Sequence, residues 1–207
     1  MDVEAEIVRL SAEVAALRMK AKAAEDYIAV SNLQRAYGYY VDKGHWDDAA
    51  DLFAREGTLE INGRGVFVGQ DRVRAYMHRF GPAKDGALFN HMQLQPVIHI
   101  SPDGMAAHAR WRAFIQVGEV GKTAMWGEGT YENAYVKEDG LWKIARLHFF
   151  QTYYIGFYDG WDRGGLPLIP EYPDFKPDHP RSVDYGVYPI FHVPPFHYAN
   201  PVSGREE

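Results

Sequence analysis

The chain has no cysteine. That absence excludes disulfides, thiolate metal ligands and a cysteine nucleophile. It fits a reducing compartment, so a cytoplasmic location is the expectation. No apolar run approaches the roughly 18 residues that a membrane-spanning helix needs. The acidic, amphipathic N-terminus lacks the basic segment and apolar run of a signal peptide. Positive charge is also in short supply. The 22 Lys and Arg are outnumbered by 28 Asp and Glu, and the net charge of -6 argues against a nucleic-acid partner. No glycine-rich phosphate loop follows a strand, so no nucleotide cofactor is expected. No two of the nine histidines have a metal-site spacing, so no metal and no organic cofactor are expected.

What is present is ordinary for a globular chain: 46% hydrophobic and 24% charged residues over 207 positions, enough for one domain with extensions. The anomaly is an aromatic content of 14%, crowded toward the C-terminus. Three segments follow from the patterning. Residues 1–27 read as a helical extension. Ile7, Leu10, Val14, Leu17, Ala21, Ala24 and Ile28 recur at steps of three and four, a heptad-like seam that predicts packing against another helix, such as a second copy. Residues 28–152 read as an α+β core. Residues 153–207 hold nine of the twelve prolines, interleaved with tyrosine and phenylalanine. Prolines block helix and central strand, and the aromatics argue against disorder, so an extended tail wrapped over this subunit or a neighbour is predicted. The expected assembly is a homo-oligomer joined through the helix and the tail.

Within the core the helix continues to about Tyr40, and Gly44 ends it. A second helix, Trp46 to Phe53, places Trp46, Ala49, Ala50 and Phe53 on one face. Short strands at 58–61 and 66–68 flank an Asn62-Gly63-Arg64-Gly65 turn, and a helix runs from Gln70 to Arg79. Four longer strands follow, over 88–100, 105–117, 123–136 and 141–150. Asp139-Gly140 between the last two is a strong hairpin signal. Helices followed by an antiparallel meander predict an α+β fold with helices against one face of a curved sheet. On the last strand, simple alternation sets Trp142, Ile144, Arg146 and His148 on one face.

The stretch YGYYVDKGHWDDAADLF, Tyr37 to Phe53, stands out. Asp42 sits at a helix C-terminus, where the helix dipole disfavours a carboxylate, and Tyr37, Tyr39 and Tyr40 lie just before it. This stretch running on through AREGTLEI, with GRGVFVGQDRVRAYM, NHMQLQP and YVKEDGLWKIARLHF, resembles the nuclear transport factor 2-like superfamily, in particular its SnoaL-like, scytalone dehydratase-like branch. The resemblance covers roughly residues 28–150. It implies a cone made of a curved antiparallel sheet closed by helices, with a pocket inside. Asp42, four residues before Trp46, matches a catalytic Asp of dehydratase-like members, and His91 matches a catalytic His at the start of the first long strand. Tyr37 matches the oxyanion-hole Tyr of steroid isomerase-like members. A further catalytic His expected near Phe114 or Ile115 is missing, as is a pocket Tyr expected near Gly63. An isomerase base near Ile61 is also missing.

Asp42, His91, Tyr37 and Tyr40 are therefore the candidate catalytic residues. Histidine titrates near neutral pH, a carboxylate can orient it, and a phenol can donate to a developing oxyanion. Trp111, Trp126, Tyr131 and His148 are the candidate substrate-binding residues. Their rings suit a small aromatic substrate, although aromatics at this density also build an ordinary core or interface. The expected activity is a cofactor-independent lyase that removes a hydroxyl from a phenolic compound through a quinone methide. Bacterial diarylpropane lyases within the superfamily point to a lignin-derived diaryl substrate and to release of formaldehyde. A non-catalytic assembly subunit, or a cyclase or isomerase using the same pocket, remains open. A deep cavity holding Asp42 and His91 would favour an enzyme.

Overall fold

The computed structural model describes residues 3–206. Forty of them form one helix, α1 (Val3–Asp42), rich in Ala, Glu, Lys and Arg, with no glycine before Gly38 and no proline. Its residues before Asp26 lie outside the core, whereas Asp26, Val30, Gln34, Tyr37 and Val41 are buried. Gly44 ends the turn after it with a φ of 69°, a left-handed value that suits glycine. In α2 (Trp46–Asp51), Trp46, Ala49 and Ala50 are buried. Phe53 is also buried, but it opens a strand instead of closing the helix.

The remaining elements are β1 (Phe53–Ile61), β2 (Val66–Val68), α3 (Gln70–His78), β3 (Ala87–Ile100), β4 (Ala106–Glu119), β5 (Thr123–Glu138) and β6 (Leu141–Gly156). A 3-10 turn follows at Trp161–Arg163. The strands form one curved, unclosed sheet in the order β2-β1-β6-β5-β4-β3. β3 to β6 is the expected antiparallel meander. β1 departs from it by running parallel to β6, which the long intervening chain permits. Asp139 and Gly140, at φ 52° and 80°, make the hairpin turn between β5 and β6. No helix among the described residues is long and apolar enough to cross a membrane.

Two bulges decide what β6 presents to each face. Ala134 pairs with Arg146 and Tyr135 with Ile144, so Ala145 is an extra residue. Glu128 pairs with Tyr153 and Gly129 with Gln151, so Thr152 is another. Each extra residue inverts the side-chain alternation beyond it. Ile144, Leu147, Phe149 and Tyr154 consequently all join the core cluster. His148 does not share the face of Ile144 that simple alternation assigns it. It lies on the opposite side of the sheet, stacked on Phe150 at 3.8 Å between ring centres.

The tail beyond the 3-10 turn has no helix or sheet strand but many partners. Val66 donates to the His179 carbonyl at 2.9 Å, and Asp178 donates to the Val66 carbonyl at 2.9 Å. Phe175 stacks on Phe67 at 5.2 Å. Glu60, buried on β1, accepts from the Ser182 N–H at 2.7 Å and its hydroxyl at 2.6 Å. Tyr185 accepts from the Gln151 N–H at 3.0 Å, and Arg110 donates to the Pro194 carbonyl at 2.7 Å. The tail thus wraps its own subunit.

Candidate active site

A cavity of about 240 Å³ opens between α1, α2, α3 and the inner face of the sheet. Its walls are apolar for the most part: Val41, Trp46, Met77, Phe89, Ile115 and Phe149. The polar groups are few and convergent, namely His91, Arg64, Asn62 and the tyrosines Tyr37, Tyr76, Tyr131 and Tyr154. That composition is the usual one for a ligand site. Leu166 and Ile169 of the tail reach its wall. Gly63 lets them come so close, since a Cβ there would stand 2.9 Å from the Ile169 carbonyl oxygen. The larger groove, about 870 Å³, lies elsewhere, between the start of β3, the β4–β5 connection and Phe157–Asp159. None of the candidate catalytic residues touches it.

His91 supplies the imidazole of the cavity wall. Its ring lies 4.4 Å from that of Phe89, and its Nδ1 is buried without a hydrogen-bond partner. Burial away from water lowers its pKa to about 4, so the ring is neutral at pH 7 and able to accept a proton. The reason His91 is so well placed lies in the backbone. β3 is an edge strand, so half of its N–H and C=O groups have no neighbouring strand. At His91 the N–H donates to the Asp42 carboxylate at 2.5 Å, and the C=O accepts from the Gln93 side chain at 3.0 Å. Gln93 in turn accepts from Gln34 of α1 at 2.8 Å. α1 comes this near because residue 38 is glycine. A Cβ there would stand 2.8 Å from Gln93 and 3.2 Å from the His91 carbonyl oxygen.

Asp42 and His91 are thus brought together, but not as a carboxylate–imidazole pair. Asp42 holds the peptide of His91 from behind the cavity wall and lines a separate surface depression with it. Desolvation raises the Asp42 pKa, and the His91 N–H opposes that rise. Tyr37 does line the cavity, packed edge-on against Phe53 at 6.3 Å and Tyr131 at 6.4 Å. Burial raises the pKa of Tyr37, Tyr131 and Tyr154 well above the ordinary phenol value and that of Tyr76 to about 12, so all four remain protonated donors. Tyr40 lies outside the cavity, 6.4 Å from the His45 ring.

Of the four candidate binding residues, Tyr131 alone lines the cavity. Trp111 points inward but is fully enclosed and donates to the Tyr135 hydroxyl at 3.1 Å. Trp126 faces the outer groove between Phe114 and Phe157. His148 is buried beneath the tail, 3.6 Å from Glu60.

Arg64 and Asn62 were not singled out from the sequence beyond their turn. Arg64 Nη1 donates to the Tyr76 hydroxyl, and its guanidinium lies 4.7 Å from the Tyr172 ring centre. Its Nε is buried and unpartnered, and no carboxylate pairs with it among the described residues. Asn62 is held at a φ of 57°, with a buried, unpartnered Oδ1. An arginine between two glycines in a turn joining two short strands was the one available signal.

Comparison with known proteins agrees with this geometry. The SnoaL-like domain family model matches residues 22–148. A Novosphingobium aromaticivorans protein named after scytalone dehydratase aligns over 74% of this chain and 97% of its own, with 17% identity and a TM-score of 0.61. A type 2 hexachlorocyclohexane dehydrochlorinase, LinA, aligns over 75% and 98%, with 16% identity and a TM-score of 0.60. The Streptomyces coelicolor ActVI-ORFA protein aligns over 60% and 96%, with 13% identity and a TM-score of 0.53. At these identities the likeness is one of fold. No curated protein matches the chain in sequence. The family match spans more than half of the chain, and the cavity lies where the helices meet the curved sheet: the chain belongs to the SnoaL-like domain family, with the nuclear transport factor 2-like fold.

Proposed function

We propose that the cavity is the active site of a cofactor-independent lyase acting on a phenolic compound with a benzylic hydroxyl. The observation that carries this reading is the neutral His91 ring in the cavity wall, among phenol donors and one guanidinium with no carboxylate partner among the described residues. His91 accepts the substrate's phenolic proton. The electron pair moves through the ring and expels the para-benzylic hydroxyl, leaving a quinone methide. The leaving oxygen takes a proton from a cavity phenol, and the imidazolium restores that proton, so the net loss is water. Arg64 faces the negative charge that develops on oxygen during this step. Asp42 fixes the His91 peptide and acts through it as a positioning residue.

A lignin-derived diaryl propanediol is the finer substrate assignment. There the quinone methide is an electron sink. Deprotonation of the terminal hydroxyl breaks the adjacent C–C bond, releases formaldehyde and returns the electrons to a phenolate bearing a stilbene-type double bond. The aromatic walls support such a ligand, but 240 Å³ lies below the usual range for ligand sites, about 300–1,000 Å³. A diaryl substrate therefore requires Leu166 and Ile169 to yield, whereas a single-ring benzylic alcohol does not. A cyclase or isomerase would use the same groups without losing a hydroxyl, and product analysis separates the two.

The test is a metal-free assay on phenolic benzylic alcohols and diaryl propanediols, followed by stilbene-type absorbance and formaldehyde. His91→Ala is expected to lower kcat/KM by about a hundredfold or more with the fold retained. Unchanged turnover in that variant would remove His91 from the chemistry. Absence of turnover by the parent protein on every phenolic substrate would overturn the lyase reading.

A further inference from the structure

The first seven turns of α1 are regular and carry an exposed apolar line along one side. Ile7, Leu10, Val14, Leu17 and Ile28 are 59%, 45%, 45%, 58% and 58% exposed. Monomeric proteins seldom leave so long an apolar line in water. Its steps of three and four repeat every seven residues, the period that makes two helices coil around each other. The line stops for a structural reason. The next position in the repeat is Ser31, which is buried against the chain's own domain.

We propose that residues 3–28 form a parallel, in-register, two-stranded coiled coil with a second copy of this chain. Two independent features of the sequence specify that partner. The first is the side-chain shapes. One set of seam positions is Ile7, Val14, Ala21 and Ile28, and the other is Val3, Leu10, Leu17 and Ala24. β-Branched residues at the first set with leucine at the second favour a parallel pair of strands over three or four. The second is the charges beside the seam. In a parallel pair Glu13 of one copy faces Arg18 of the other, and Lys20 faces Glu25. Arg18, Lys20 and Glu25 form no ion pair within the described residues, and Glu13 pairs locally with Arg9 at 3.1 Å. An antiparallel pair with a matched seam keeps Glu13 opposite Lys20 but sets Glu25 against Glu4. Asp26 and Val30, the first residues buried in the chain's own domain, lie off the seam.

Light scattering on the full chain at micromolar concentration is expected to give twice the 23.6 kDa chain mass. Replacing Glu13→Lys and Lys20→Glu together sets like charges across a parallel seam and is expected to weaken the dimer about tenfold or more. Adding Arg18→Glu and Glu25→Lys is expected to restore it. In an antiparallel pair the first two substitutions merely exchange partners and change nothing. The chain's lack of cysteine gives a direct reading of register. Leu10→Cys is expected to form a disulfide-linked dimer on mild oxidation, because residue 10 meets its own copy only when the helices are parallel and aligned. A 23.6 kDa species for the parent protein overturns the proposal. A dimer that is indifferent to the charge changes and that Leu10→Cys fails to crosslink also overturns it.

Discussion

The two ends of this chain solve opposite problems. The N-terminal arm is all regular structure and almost no tertiary contact, whereas the C-terminal tail is almost no regular structure and continuous tertiary contact. The difference follows from where backbone hydrogen bonds can go. A helix satisfies its own N–H and C=O groups, so the first turns of α1 can stand away from the domain and offer only side chains. A proline-rich segment cannot satisfy itself. Its groups must be met by the body, as they are at Val66, Glu60, Thr152, Arg110 and the Gln151 side chain, which donates to the Leu166 carbonyl. Regularity is therefore a poor guide to which end is anchored.

Substitutions can break this contrast in order of size. Glu60→Ala removes the buried carboxylate that takes both Ser182 donors, and is expected to cost about 3 kcal/mol. It should also expose the tail to limited proteolysis while α1 stays intact. Asp26→Asn acts at the root of α1, where the buried carboxylate accepts from Lys22 at 2.6 Å, Trp142 at 2.8 Å and Lys137 at 2.9 Å. A loss of about 2 kcal/mol in a denaturant titration is expected. Gly63→Ala pushes on Ile169 and is expected to cost about 1 kcal/mol, with a larger effect on KM than on kcat. Val8→Ala or Met19→Ala, at exposed positions off the seam, should change stability by less than about 0.5 kcal/mol.

Acid should loosen the two regions in different windows. His148, beneath the tail, has its pKa lowered by burial to about 4 from an ordinary 6.5. The stability it contributes is present above the unfolded value and is lost as pH falls from 6.5 toward 4, the nearby Arg146 charge adding to the effect of burial. Asp26 is held near 2, below its ordinary 3.8: its three donors outweigh desolvation, the largest single influence, which acts upward. Its contribution is lost only as pH falls from 3.8 toward 2. Protease susceptibility followed against pH should show the tail yielding first. A His148→Gln variant should shrink the upper window, leaving the share that buried His91 contributes, and spare the lower one.

Much of the core was legible because local chemistry and tertiary structure agree. Gly44, Asp139-Gly140 and the buried trio Trp46, Ala49 and Ala50 sit where turn preferences and helical spacing put them. What failed did so through one-residue effects that no periodicity records. Ala145 and Thr152 are ordinary residues, yet as bulges they carry His148 away from the face of Ile144 and bring Phe149 and Tyr154 to one cavity. Of the residues singled out for the site, Tyr37, His91 and Tyr131 line the cavity, whereas Asp42, Tyr40, Trp111, Trp126 and His148 do not. Asp42 and His91 are in contact, but the contact is made to a peptide N–H, which residue types and spacing do not display. Arg64 was hidden because its role depends on the absence of a carboxylate, which sequence spacing does not display.

That peptide contact has a consequence for how the pocket could diversify. Every residue but proline carries the N–H that Asp42 grips, and every residue carries the C=O that Gln93 caps. The seat at position 91 is therefore indifferent to its occupant. A reactive side chain can be exchanged there without dismantling the strand edge that presents it. Heritable change in chemistry and inherited architecture are decoupled at one amide, which is one physical route by which a single scaffold can come to serve unrelated reactions.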